Sequence, residues 1–255
     1  LYHIFSLMAS CLVFIKAGVK NILITNPRDI PRFVRVLKEN RVNALMAVNT
    51  LFNALLCNKQ FTQLDFSNFR LVIAGGMALQ KTISERWKKL TGLSIVEGYG
   101  LTEASPIVSI GSLETKKFTG SIGLPVPSTE VKVVDEQEKP LAIGEVGELC
   151  VRGPQVMQGY YNMPGETEQV IDKNGWLRTG DMARIDEKGF IYLVDRKKDM
   201  IDVAGFNVYP NEVEGVLASH PKVLEAAVIG VPNRITGESV KAFVVPKDKT
   251  LTKAE

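Results

Sequence analysis

The chain has 255 residues, 45% of them hydrophobic and 23% charged, with a formal net charge of +3. That apolar fraction excludes intrinsic disorder and suits one large domain or two smaller ones at roughly 150 residues per domain. Lys and Arg (31) nearly balance Asp and Glu (28), which leaves no nucleic-acid footprint, and the scattered Cys11, Cys57 and Cys150 form neither a disulfide framework nor a zinc site, so a reducing cytoplasm is expected.

The longest apolar run, residues 4–15, stops at Lys16. It falls short of the roughly 18 residues that span a bilayer. No basic segment precedes it as in a signal peptide, so it reads as a buried helix or strand. The text opens at Leu1 inside apolar sequence and closes at Glu255 in a charged stretch, which reads as a piece of a longer protein.

From residue 20 to about 100, strands and helices alternate. Residues 20–25 are a short β-branched run. Asp29 is placed to cap a helix with Pro31 in its first turn, and Ile30, Phe33, Val34 and Leu37 form one helical stripe. Residues 43–48 read as a strand, and Thr50 as the cap of a helix carrying Leu51, Leu55 and Leu56. Residues 70–74 are an apolar strand ending in Gly75-Gly76. Residues 82–91 are helical, stopped at Gly92, and 94–97 are a further strand. This alternation predicts a mostly parallel sheet, with ligands beyond the carboxyl ends of its strands, at the loops 75–77 and 98–103.

After about residue 115 the runs shorten and glycine and proline become frequent. Residues 131–135, 145–151, 182–186 and 190–194 read as strands, the last two joined by the turn Asp186-Glu187-Lys188-Gly189. A helix over Pro210–Ser219, then strands over 223–231 and 240–245, read as the start of a small α+β domain. His3 and His220 are the only histidines. His220 fits a charge at a helix C-terminus better than a catalytic role.

Several nucleotide and hydrolase signatures are missing. There is no P-loop and no G-x-S-x-G elbow, and Glu103 stands where a dinucleotide fingerprint needs its third glycine. Three segments carry candidate chemistry. In Gly98-Tyr99-Gly100-Leu101-Thr102-Glu103, the glycines let backbone approach a ligand, and Tyr99 offers a flat face for a base. Thr102 offers a hydroxyl for phosphate, and Glu103 a hard carboxylate for Mg²⁺. A plain strand-to-helix turn, capped by Thr102 or Glu103, explains the six residues equally well. In Gly175-Trp176-Leu177-Arg178-Thr179-Gly180-Asp181, the aspartate is either a ribose ligand or the opening of the following hairpin. In Asp195-Arg196-Lys197-Lys198-Asp199, Arg196 suits bidentate contact with phosphate or ribose, or the segment is a solvated linker.

Together and in this order, the three segments resemble the acyl-CoA synthetases of the adenylate-forming superfamily. So do Gly147-Glu-Leu-Cys-Val-Arg-Gly153, Gly159-Tyr-Tyr-Asn-Met-Pro164, Gly189 to Asp199, and Gly205-Phe-Asn-Val-Tyr-Pro-Asn-Glu-Val-Glu214. The wording of the later segments is most similar to bacterial long-chain fatty acid–CoA ligases. The resemblance implies an α/β large domain, with a sheet subdomain (1–115) and a β-rich, barrel-like subdomain (116–195), followed by a truncated, mobile C-terminal domain (196–255). It implies ATP, Mg²⁺ and CoA, with a fatty acid converted first to acyl-AMP and then to acyl-CoA. Thr102 would contact phosphate and Glu103 would hold Mg²⁺. Gly75, Gly76, Met77, Tyr99 and Gly100 would surround adenine, Asp181 would hold ribose, and Arg196 would hold ribose or the α-phosphate. Lys198 would be the hinge, and Gly205, Phe206 and Asn207 would line the pantetheine channel. The helix over 48–56 borders an acyl pocket or is ordinary core.

The family's phosphate loop and catalytic lysine would lie beyond the two ends of this text, so the 255 residues alone are expected not to adenylate, and a bare core face to favour dimerisation or aggregation. A cytoplasmic enzyme with peripheral contact at the inner membrane face is the companion expectation, with no nucleic-acid partner. The alternatives are an acyl- or aryl-acid ligase that loads a carrier, and a nucleotide-binding or interaction piece without catalysis.

Overall fold

The computed structural model describes residues 2–247, and the charged stretch closing at Glu255 lies outside the described residues. The chain forms two compact units. The first is Leu1–Val131 with Val151–Leu177 and Gly189–Ile191. The second is Lys132–Cys150, Arg178–Lys188 and Tyr192–Glu255.

In the first unit the apolar run is helical, a π-helix over Ser6–Leu12 that continues as α1 (Val13–Lys16). Only Ala9 and Cys11 of it are buried, while Leu12, Val13 and Ile15 stand exposed because no described element covers that face, contrary to the expected burial. Residues 20–25 form no strand. Helix α2 (Ile30–Glu39) has its expected cap: the Arg32 N–H donates to the Asp29 carboxylate at 3.1 Å, and Phe33, Val34 and Leu37 are buried. Helix α3 (Asn49–Cys57) starts one residue before the expected Thr50 cap. Asn49 instead turns its side-chain oxygen to the Gln80 N–H, at 3.0 Å. Helix α4 (Lys81–Thr91) stops at Gly92, whose φ is +78°.

These helices connect β1 (Ala44–Ala47), β2 (Leu71–Ala74) and β3 (Val96–Gly100), which pair in parallel. Strands β4 (Ile107–Ile110) and β5 (Leu124–Pro125) add antiparallel, completing a five-stranded sheet in chain order. The reversal has a simple cause. A parallel return needs a crossover of a dozen residues or so, and only the short turn Thr102–Ala104 separates β3 from β4. The expectation of a mostly parallel sheet therefore holds for its first three strands. The core under this sheet centres on Phe52, Phe61 and Trp87, with ring centroids 4.9 Å (Phe52–Trp87) and 5.5 Å (Phe61–Trp87) apart. The Trp87 indole N–H is buried there with no hydrogen-bond partner among the described residues. The other tryptophan, Trp176, lies under the Arg152 guanidinium, 4.8 Å from its ring centroid.

Two further four-stranded sheets follow, the first from the stretch expected to be β-rich and the second from the stretch expected to begin a small α+β domain. One is ordered β6 (Glu130–Val134), β7 (Gly147–Arg152), β8 (Leu177–Ile185), β9 (Ile191–Arg196), with helix α5 (Pro164–Val170) in the connection from β7 to β8. The other comprises β10 (Ile201–Val203), β11 (Phe206–Val208), β12 (Val223–Asn233) and β13 (Gly237–Pro246), in the order β11-β10-β13-β12, with helix α6 (Pro210–Ser219) preceding β12. Among the described residues neither closes into a barrel. Four strands are too few to close with side chains inside, since roughly eight make the smallest filled barrels.

Candidate functional site

Two groups of predicted site residues are found, one in each unit. In the first unit, Ala74 of β2 pairs with Glu97 of β3, so Gly75-Gly76-Met77 and Gly98-Tyr99-Gly100 sit at the carboxyl ends of neighbouring parallel strands. The latter three residues lie within β3 rather than in the expected loop. A Cβ on Gly100 would meet the Pro106 carbonyl oxygen at 1.7 Å, and one on Gly75 would meet the Phe5 ring at 2.8 Å. At Gly100 the obstacle is backbone, so close packing requires the glycine there, whereas at Gly75 it is the edge of the Phe5 side chain. Gly76, with φ +79°, and Met77 are exposed. Beside them, burial raises the Glu97 carboxyl to about 8, with no hydrogen bond or counter-ion among the described residues to offset it.

Thr102 is exposed and Glu103 half-buried on the turn after β3, and neither side chain makes a helix cap. Glu103 Oε1 accepts from the Tyr160 hydroxyl at 2.9 Å, and the Glu103 carbonyl accepts from the Met157 N–H at 2.8 Å. Tyr160 is in turn held by its own N–H, which donates to Thr167 Oγ1 at 2.9 Å. Burial and then the Glu103 carboxylate raise the Tyr160 hydroxyl above its ordinary value, so it stays a donor. The other Glu103 oxygen makes no hydrogen bond among the described residues. No described cluster gathers three or more His, Cys, Asp or Glu for a metal. A tethered carboxylate with one oxygen to spare fits Mg²⁺, which takes one or two carboxylates plus substrate phosphate oxygens. Sequence alone gives Tyr160 no role, since Gly159-Tyr-Tyr carries only family likeness.

In the second unit, Asp181 lies inside β8 rather than at a hairpin opening, directly after Gly180 with φ +71°. Its Oδ1 is 3.7 Å from Arg196 Nε at the end of β9, so the structure brings these two predicted residues together. The charged run 195–199 is not simply solvated. Asp195 is buried and accepts from the Asn211 N–H (2.8 Å) and Asn211 Nδ2 (3.0 Å) in the first turn of α6. Lys197 turns to Glu148, at 2.9 Å. Arg196 and Lys198 remain exposed.

Glu148 is the residue that sequence reasoning missed. It is 5% exposed and collects Arg178, Lys197 and the Gly180 N–H. Burial pushes its carboxyl up, but the hydrogen bonds and charges of Arg178 and Lys197 outweigh this, and it settles below the ordinary value. Gly205 lies in the two-residue turn from β10 into β11, and Phe206 and Asn207 are the first residues of β11, paired with Val203 and Asp202. Gly205 has φ +84°, and the Phe206 ring is 76% exposed. A cavity of about 210 Å³ is lined in part by Glu148, Met182, Lys197, Met200, Asn207 and Tyr209. Thr102 and Glu103 are carried by the first unit, Asp181 and Arg196 by the second.

Residues 1–161 match the AMP-binding enzyme family and residues 212–255 match the AMP-binding enzyme C-terminal domain. A long-chain-fatty-acid–CoA ligase of Escherichia coli O157:H7 is 58% identical over 252 residues, covering 99% of this chain and 45% of that protein. Solved structures are similar too. ATP-bound MatB from Rhodopseudomonas palustris superposes with a TM-score of 0.87 at 33% identity, over 98% of this chain and 49% of that one. The o-succinylbenzoate CoA synthetase of Bacillus subtilis, in complex with its acyl-adenylate intermediate, gives 0.83 at 30% identity, over 99% and 50%. The chain thus spans a little under half the length of the curated relative.

Proposed function

The chain belongs to the AMP-binding enzyme family, and from that premise we propose that the intact protein is an ATP-dependent long-chain fatty acid–CoA ligase. The fatty carboxylate attacks the α-phosphate of ATP, giving acyl-AMP and pyrophosphate. The thiol of CoA then attacks the acyl carbon, giving the thioester and releasing AMP. A carboxylate is a poor acyl donor, and the mixed anhydride supplies the leaving group it lacks. The protein's task is therefore positioning and charge stabilisation.

The observation that carries the reading is the 58% identity to a long-chain-fatty-acid–CoA ligase across 99% of the chain. The geometry supports roles for individual residues. Tyr160 holds one oxygen of Glu103, whose other oxygen would be available to a cation, and Thr102 would offer its exposed hydroxyl to phosphate. Mg²⁺, when bound, neutralises charge on the phosphate oxygens. Asp181 accepts ribose hydroxyls, with Arg196 beside it as the matching cation for ribose or the α-phosphate. Gly75, Gly76, Met77, Tyr99 and Gly100 surround adenine. Lys198 is the pivot of a mobile C-terminal domain (196–255), and Gly205, Phe206 and Asn207 border the pantetheine of CoA. We further propose a cytoplasmic enzyme with peripheral contact at the inner membrane face, and a homodimer. Among the described residues no helix is long and apolar enough to cross a membrane.

The test is acid-dependent ATP–pyrophosphate exchange by the intact protein across acids of graded chain length. Exchange should rise with chain length and acyl-CoA should accumulate when CoA is added. A preference for short or aromatic acids, or transfer to a carrier protein instead of CoA, would overturn the long-chain reading.

A further inference from the structure

The Asp181–Arg196 pair does not hold itself in place. At 3.7 Å, with the Arg196 side chain 64% exposed, it is a loose surface pair, and such pairs contribute about 0–1 kcal/mol. The backbone on either side contributes to its placement. Those neighbours are firmly tied, and one carboxylate ties two of them.

Glu148 Oε1 accepts from the Gly180 N–H at 3.2 Å, immediately before Asp181. Glu148 Oε2 accepts from Lys197 Nζ at 2.9 Å, immediately after Arg196, and from Arg178 Nη2 at 2.8 Å and Nε at 3.3 Å. The strand around Asp181 is tied once more: Thr179 Oγ1 donates to the Leu149 carbonyl at 2.8 Å and accepts from the Asp181 N–H at 3.1 Å. On the far side of Arg196, Asp195 is anchored to Asn211. A buried carboxylate adds little net stability relative to an apolar residue of similar size. Its arrangement here is better explained by what it aligns.

We infer that Glu148 is a positioning residue for the nucleotide: by gripping Gly180 and Lys197, it sets the spacing of Asp181 and Arg196. This rests on the proposed nucleotide role of that pair. Glu148 touches no substrate itself. It acts on β8 at Gly180 and on the turn after β9 at Lys197, adding side-chain ties beside the ladder that joins these two neighbouring strands. Because Lys197 adjoins the proposed pivot at Lys198, the same carboxylate also fixes the point from which the C-terminal domain departs.

The experiment is steady-state kinetics of the intact ligase carrying Glu148→Gln, with Asp181→Ala alongside. The glutamine keeps an acceptor for the Gly180 N–H but loses the charge that holds Arg178 and Lys197. The expected result is an ATP KM raised about tenfold, with the fatty acid KM within about twofold of wild type. A change confined to overall stability would not split the two substrates. Both KM values unchanged, or both raised together, would overturn the inference while the Asp181→Ala result still stood. If Asp181→Ala leaves the ATP KM unchanged, the nucleotide reading itself fails and takes the inference with it. Should Glu148→Gln not fold, Lys197→Met removes one grip while Glu148 keeps Arg178. It should show the same split at about threefold, and an unsplit result there overturns the inference equally.

Discussion

The first unit arranges its candidate site with backbone, the second with charge. At the ends of β2 and β3, an added Cβ on Gly75 or Gly100 collides with Phe5 or Pro106, and a single side-chain hydrogen bond, Tyr160 to Glu103, fixes the carboxylate. Around Asp181 the situation is reversed. Gly180 and Gly205 have nothing within 4 Å of an added Cβ, while Glu148, Arg178 and Lys197 form a dense ionic cluster. Two partly buried carboxylates show the same contrast. Glu97 has no donors and is raised, whereas Glu148 has three donor groups and is lowered. Shape therefore disciplines the ends of β2 and β3 and electrostatics the strand at Asp181, although Gly147, beside Glu148, is itself confined by the Val134 carbonyl at 2.3 Å from an added Cβ.

The strongest way to break this comparison is Gly100→Ala. With a Cβ 1.7 Å from the Pro106 carbonyl oxygen, backbone must move. A loss of more than about 3 kcal/mol, or of soluble protein, is expected in urea unfolding. A loss below about 1 kcal/mol would mean the first unit is not sterically specified.

Next comes Glu97→Gln. A carboxyl raised in the folded state contributes its full stability below the unfolded value of 4.5 and loses it progressively as pH rises to about 8. The variant should therefore be more stable than wild type by about 3 kcal/mol at pH 8.5 and nearly equal to it at pH 4. Equal stability at both pH values would show that Glu97 is solvated after all.

Tyr160→Phe is smaller. It should cost about 1 kcal/mol in unfolding. It should also raise the Mg²⁺ concentration for half-maximal pyrophosphate exchange by about tenfold, because a ligand that loses its orienting partner binds metal more weakly. An unchanged Mg²⁺ requirement would separate Tyr160 from the cation. Smallest is Gly180→Ala, which meets open space but a φ of +71°. About 1 kcal/mol is expected, well below the effect at Gly100. A larger loss would mean shape matters beside Asp181 too.

Elements set by local chemistry were legible in the sequence. The Asp29 cap with Pro31 fixed the start of α2, Gly92 its counterpart at the end of α4, and Pro210 to Ser219 is helical over the residues expected. The parallel order of β1 to β3 followed from intervening helices. What was illegible depends on partners far away in the chain. Glu103 meets Tyr160 across 57 residues, and Glu148 meets Arg178 and Lys197 across 30 and 49. No periodicity records such pairings, and Glu148 sits among apolar strand residues that read simply as β7. The run 195–199 misled for the same reason. Whether a charge faces water depends on Asn211 and Glu148, not on its neighbours in sequence.

Both tryptophans, Trp87 and Trp176, belong to the first unit. Trp87 is sealed among Phe52 and Phe61 with an unengaged indole N–H, an environment that shifts emission to the blue. Emission from Trp87 therefore monitors the loss of that aromatic nest, while Trp176, immediately before β8 and two residues before Arg178, reports beside the ionic cluster. A Trp176→Phe variant leaves Trp87 as the sole emitter, and the difference between its titration and that of the parent chain reveals whether the surroundings of Glu148 open first.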